Sequence, residues 1–227
     1  MEFLAELQPK IKIEKIQNEI KELEPFDGFD LPDSPLGYPS ILPSSIATIV
    51  RNVYPDKRVI VNQRLLDVNE LYVASLSLTS KVIGFDIVFT KGDKPKIGKE
   101  VGYLTSEQAI LLSKYYNKDL RAGLVISMRK SKEEIARRLK FEAADFFLLL
   151  RLESEDQLEG LQSNKLIPYV IVKTDKNKEI VSTLAQPVFD ENKVIDFIYK
   201  LEDKGVQGVL LSSLGDTEAL VRIIRKY

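Results

Sequence analysis

Gly84-Phe85-Asp86-Ile87-Val88-Phe89-Thr90-Lys91-Gly92-Asp93 is the stretch on which the fold turns. Ile87, Val88 and Phe89 form a short apolar run that favours extended chain, and the chain then turns at Gly92-Asp93 and breaks at Pro95. An apolar strand ending abruptly in a carboxylate is how α/β proteins present chemistry at the C-terminal lip of a parallel sheet. Gly-Asp is equally ordinary turn chemistry, and this stretch alone leaves both readings open.

Moving outward, similar units recur on both sides. Strands are expected over Glu2 to Leu7, Phe26 to Leu31, Arg58 to Asn62, Leu120 to Ser127, Asp145 to Leu152, Ile167 to Lys173 and Val206 to Ser212. Between them, apolar residues return at helical spacing: Ile13, Ile16, Ile20 and Leu23, for example, or Val194, Phe197, Ile198 and Leu201. Polar cap signals open several helices. Asp67 with Glu70, Thr105 with Gln108, Ser131 with Glu134 and Ser154 with Gln157 each read as a capping pair, and Asp216 caps the last helix. Asp175 to Lys178 reads as a turn, and Glu179 to Leu184 as a hairpin strand returning from it.

Strand followed by helix thus repeats eight times. The 227 residues divide into units of ~28, close to the minimum for a β/α barrel. The expected fold is α/β: one compact (β/α)8 TIM-type barrel over residues 1–227, with an irregular insertion near 173–189. An open doubly wound sheet is the alternative. In a barrel the site lies at the C-terminal strand ends. These are Glu6 to Pro9, Asp33, Asn62 to Arg64, Lys91 to Asp93, Ser127 to Arg129, Arg151 and Ser212 to Asp216.

Composition limits the chemistry. The chain has neither cysteine nor histidine, which removes disulfides, thiolate nucleophiles, Ser-His-Asp catalysis and imidazole metal sites, so no metal is expected. Acid–base work falls to Asp, Glu, Lys, Tyr or a bound cofactor. With 33 Lys+Arg against 34 Asp+Glu and no basic cluster, a nucleic-acid partner is not expected. No signal peptide or membrane-length apolar run is visible, so a cytoplasmic protein is expected. Abundant Lys and Glu without Cys or His is a composition seen in thermophiles.

The strand-end residues share an order with a known family. Glu6-Leu7-Gln8-Pro9 closes strand one, and Asp33-Ser34-Pro35-Leu36-Gly37 follows strand two. Arg64, Asp67 and Asn69 follow strand three, and Gly92-Asp93 ends strand four. Across this first half the chain resembles methylenetetrahydrofolate reductase, a flavin-dependent barrel. The resemblance implies an oxidoreductase of one-carbon and methionine metabolism. Such an enzyme reduces a methylene-tetrahydropterin, a folate, to the methyl form, with FAD and NAD(P)H as cofactors. It also implies that Glu6 is the general acid and that Asp93 lies between flavin and pterin. Arg64, Gly92 and Tyr103 then contact the flavin, and Asp33 and Gln186 the substrate. Gln186 enters because Ala185-Gln186-Pro187-Val188-Phe189-Asp190 matches the family's Thr-Gln-x-x-Phe-Asp, one unit later than its usual place.

Each of these residues also has a plainer reading. Glu6 can be a strand-end ion pair to a loop lysine, Asp33 a turn or cap, Arg64 a partner of Asp67, and Tyr103 a surface tyrosine. The family's histidine after strand three is replaced by Asn62 or Gln63, and its Pro-Glu-x-His after strand five by Ile126-Ser127-Met128-Arg129. The alternative function is therefore a flavin-free pterin-binding barrel. It would act as a homo-oligomer, or as the partner subunit of a methyltransferase or reductase.

Overall fold

A computed structural model describes all 227 residues. Nine strands form one sheet, all pairs parallel: β1 (Glu2–Glu6), β2 (Gly28–Leu31), β3 (Arg58–Arg64), β4 (Asp86–Thr90), β5 (Ala122–Ser127), β6 (Phe146–Leu150), β7 (Leu166–Lys173), β8 (Val188–Asp190) and β9 (Gly208–Ser212). β9 pairs with β1, and β6 with β7, which closes eight of the strands into a barrel. The fold is a (β/α)8 barrel, and β8 is its irregularity.

The helices outside are α1 (Ile13–Glu22), α2 (Pro43–Val53), α3 (Glu70–Ile83), α4 (Ser106–Tyr116), α5 (Lys132–Leu139), α6 (Lys178–Ser182), α7 (Glu191–Asp203) and α8 (Thr217–Lys226). No helix is long and apolar enough to cross a membrane. After β6 the usual helix shrinks to two 3₁₀ turns, Glu155–Leu158 and Ser163–Lys165.

Strand alternation divides the apolar residues between two cores. Outward residues such as Phe29, Val61, Phe89, Leu124 and Phe147 join a core of 44 buried residues beneath the helices. Leu4, Ile60, Val88, Phe146, Leu148, Ile167 and Leu210 fill the barrel lumen. Below them Arg58 closes the N-terminal end, bonded to Glu2 (2.5 Å) and Asp86 (2.8 Å), with its guanidinium 4.5 Å from the Phe146 ring centre. This crowding dictates glycine at 123, where a Cβ would come within 2.7 Å of the Phe146 ring.

Two expectations are corrected here. Glu179 to Leu184 is no hairpin strand: Lys178–Ser182 forms the helical turn α6, and Val188–Asp190 supplies the extra strand, parallel to β7. The β6–β7 ladder stops at Leu149 and Pro168, and proline brings no N–H to continue it. Above that point the open edge of β7 is taken over by β8 through Ile171, Val172 and Lys173. The N-cap of α3 is Asn69, whose side chain accepts from the Tyr72 amide, and not Asp67, which is drawn instead to Arg64. A nearly buried guanidinium needs a counter-charge more than a helix end needs a second cap candidate.

Candidate active site

At the C-terminal lip the inward positions turn polar. Glu6 ends β1, and its register partner on β2 is Asp30. Asn62 on β3, Tyr169 on β7 and Ser212 at the end of β9 share the same inward phase. Tyr169 Oη donates to Glu6 Oε2 at 3.1 Å, Gln8 Nε2 donates at 3.0 Å, and Ser212 Oγ donates to the same oxygen. All three donors meet on Oε2, which leaves Oε1 without a protein partner. Asn62 Nδ2 donates to Asp30 Oδ2 at 2.6 Å, and Asp30 Oδ1 is buried with no partner.

No cation bonds either carboxyl. Burial raises the Glu6 pKa, against the opposing effect of its three donors. Burial, reinforced by the neighbouring Glu6 charge, pushes Asp30 well above the usual carboxylate range. Tyr169 is likewise raised, first by burial and then by Glu6. Ionising both carboxyls would place two uncompensated charges side by side in a low-dielectric cavity. The first proton taken up as pH falls is therefore shared by this pair, and Asp30 is shifted further than Glu6. With three donors on Oε2, a proton on Glu6 would sit on Oε1. Such a pair has the chemistry to give or take a proton, and no third side chain joins it.

The other expected site residues lie in the surrounding loops. Asp33 accepts from the Gln63 side chain (2.9 Å), the Arg64 amide (3.2 Å) and Ser34 Oγ (3.0 Å), so it braces the turn after β2. Arg64 is 3% exposed. Its guanidinium is engaged by the Asp67 carboxylate and by the carbonyls of Ser34 and Asp93. Gly92 turns the chain at φ +83°, with its α-carbon pressed on the Arg64 side chain: a Cβ there would lie 2.8 Å from Arg64 Cβ. Asp93 and Tyr103 are exposed, and Tyr103 Oη donates to Glu70. Gln186 is half-buried in the loop leading into β8. Arg64, Asp67, Gly92 and Asp93 thus form one loop cluster beside the mouth, and Glu6 belongs to a different cluster, with Asp30 and Tyr169.

Asp30 and Tyr169 were not singled out from sequence. Their signal was the strand phase: Asp30 alternates with Gly28, and Tyr169 with Ile167, on the inward face. The four non-glycine residues with positive φ, Ser34, Leu36, Arg151 and Leu214, all sit on loops at this C-terminal face. Backbone strain of this kind concentrates where function holds the chain in place.

Compared with models of protein families and with curated protein sequences, the chain gives no match. Solved structures do match it. An oxaloacetate acetylhydrolase shares 15% identity at TM-score 0.65, over 100% of this chain and 80% of that one. A 2,3-dimethylmalate lyase of the PEP mutase/isocitrate lyase superfamily shares 13% at 0.62, over 99% and 78%. A 3-hexulose-6-phosphate synthase shares 14% at 0.57, over 100% and 99%. At such identities the likeness speaks to the barrel alone.

Proposed function

We propose that this barrel is an oxidoreductase of the methylenetetrahydrofolate reductase type, reducing a methylene-tetrahydropterin to its methyl form, with Glu6 as the proton donor. The observation that carries the reading is Glu6 itself. It stands at the lip of β1, burial raises its pKa, and its one unbonded oxygen is available to a ligand. A general acid must hold its proton near working pH, and burial without a cation meets that need. The proton passes from Oε1 to the bridge nitrogen of the pterin. The C–N bond to that nitrogen breaks with its electron pair, and the methylene carbon, now an iminium, accepts hydride. Tyr169, Gln8 and Ser212 then stabilise the carboxylate left on Glu6.

FAD fits this arrangement poorly. The Arg64 guanidinium is already engaged by Asp67 and by the carbonyls of Ser34 and Asp93, for which a pyrophosphate would have to compete, and Tyr103 is tied to Glu70 at the surface. When bound, NAD(P)H would supply the hydride, and no step is routed through flavin. The same engagement of Arg64 favours the second reading, a pterin-binding barrel that serves a partner reductase or methyltransferase.

The test is the oxidation of NAD(P)H by the purified protein with methylene-tetrahydrofolate, run beside Glu6→Gln. Turnover in the wild type falling about 10²–10⁴-fold in the variant supports the proposal. Equal rates would remove Glu6 from the chemistry. Pterin binding without turnover would select the partner-subunit reading. A visible spectrum taken after incubation with FAD and desalting decides the flavin question separately.

A further inference from the structure

Arg129 follows β5 and Arg151 follows β6, and their strand ends are held together by the Met128 amide donating to Leu150 O at 3.0 Å. Arg129 Nη2 and Arg151 Nη1 both donate to a single acceptor, the carbonyl of Ala185, at 2.6 Å each. Two guanidinium groups therefore stand side by side with one neutral oxygen between them. Neither is ion-paired, whereas Arg58, Arg64, Arg138 and Arg222 each have a carboxylate. Like charges are not brought together over a carbonyl for stability. The cost is compounded at Arg151, which holds φ +65°, a conformation that a side chain other than glycine adopts at a penalty.

We infer that Arg129 and Arg151 form a binding site for an oxyanion, a phosphate or a carboxylate carried by the ligand of the barrel mouth, with the Ala185 carbonyl as its placeholder. Paired planar forks are the geometry that such anions select. In the ring of eight strands β5 stands four places from β1, so the pair lies across the mouth from Glu6. A ligand anchored there by its anionic end presents its other end to the proton donor. A cavity of about 160 Å³ beside β5 is lined by Lys91, Lys130 and Arg138, with Lys130 paired to Glu134 and Arg138 to Glu107, which leaves Lys91 as its unpaired cation. Anion binding displaces Ala185 and loosens the 183–187 loop, which carries Gln186.

The anion site stands on the arginines, while the meeting of the ligand's other end with Glu6, and the choice of p-aminobenzoylglutamate as probe, rest on the proposed reaction. Its test is binding, not turnover. Pyrophosphate and p-aminobenzoylglutamate are titrated by calorimetry into the wild type, Arg129→Gln, Arg151→Gln and Arg129→Lys. At least one probe should bind the wild type in the millimolar range or tighter. Each glutamine variant should weaken it about tenfold or more, Arg129→Lys should weaken it less, and raised salt should weaken it in the wild type. Preference for pyrophosphate assigns the site to a phosphate-bearing cofactor, and preference for p-aminobenzoylglutamate to the carboxylate tail of a substrate. Arg129 is exposed, so its variants keep the fold and carry the test if Arg151→Gln does not. Absence of binding by both probes, or equal binding by wild type and Arg129→Gln, overturns the proposal.

Discussion

Replacing Asp30 with asparagine should make the protein gain stability relative to the wild type as pH rises. Asp30 is 1% exposed, and its carboxyl is raised well above the usual range because burial, and then the unfavourable approach of a second charge to Glu6, disfavour ionisation. In the unfolded chain the same carboxyl ionises near its ordinary value of 3.8. Between these two points unfolding releases a proton that the native state keeps. The contribution is full below the ordinary value and is lost as pH climbs toward the folded one. The loss is about 1.4 kcal/mol per pH unit for one such group. For a chain of this length that is about 3–6 °C in Tm per pH unit. Asparagine cannot ionise, so the variant lacks this slope. It carries instead a pH-independent cost of about 1–3 kcal/mol, because its amide faces the place where Oδ1 has no partner. The assay is thermal unfolding of both proteins from pH 4 to pH 8. The wild type starts more stable, and the difference narrows or reverses with rising pH. Parallel curves would refute the claim that Asp30 is kept protonated.

Other expectations follow from the packing. Gly123→Ala drives a methyl into the Phe146 ring at the floor of the lumen, where Arg58 leaves the ring no room to retreat, and should cost about 1–3 kcal/mol in a denaturant titration. Asn69→Ala removes the cap of α3 and should cost about 1 kcal/mol. Asp67→Ala should cost more, about 2 kcal/mol, because it strands the nearly buried Arg64 guanidinium; the figure is set below that of a fully buried pair since the Asp67 side chain is 34% exposed.

The barrel was legible because its units are locally consistent. Phe146 to Leu150 is apolar throughout, as a strand covered on both faces must be, and Thr105 with Gln108 forms the capping box its spacing announces. The 173–189 region resisted because its order comes from elsewhere in the chain. Ile180 and Val181 are β-branched and suggest a strand, yet α6 forms there, and the three-residue β8 exists only because β7 outruns β6. At the site, Glu6 could be named from its position at a strand end. Its donors could not, since Tyr169 and Ser212 are 163 and 206 residues away and meet it only on barrel closure. Asp30 was hidden within a four-residue strand whose phase is set by pairing with β1. The arginine pair needed the placement of Ala185, which no local pattern encodes.

For Glu6 to act as the acid, its carboxyl must carry a proton at the barrel mouth at neutral pH. The most direct measurement is the infrared difference spectrum of wild type minus Glu6→Gln at pH 7. A protonated carboxyl band present in the wild type and missing in the variant is the expected result. A lost carboxylate band, with no protonated carboxyl accompanying it, would show Glu6 ionised and contradict its role as the acid.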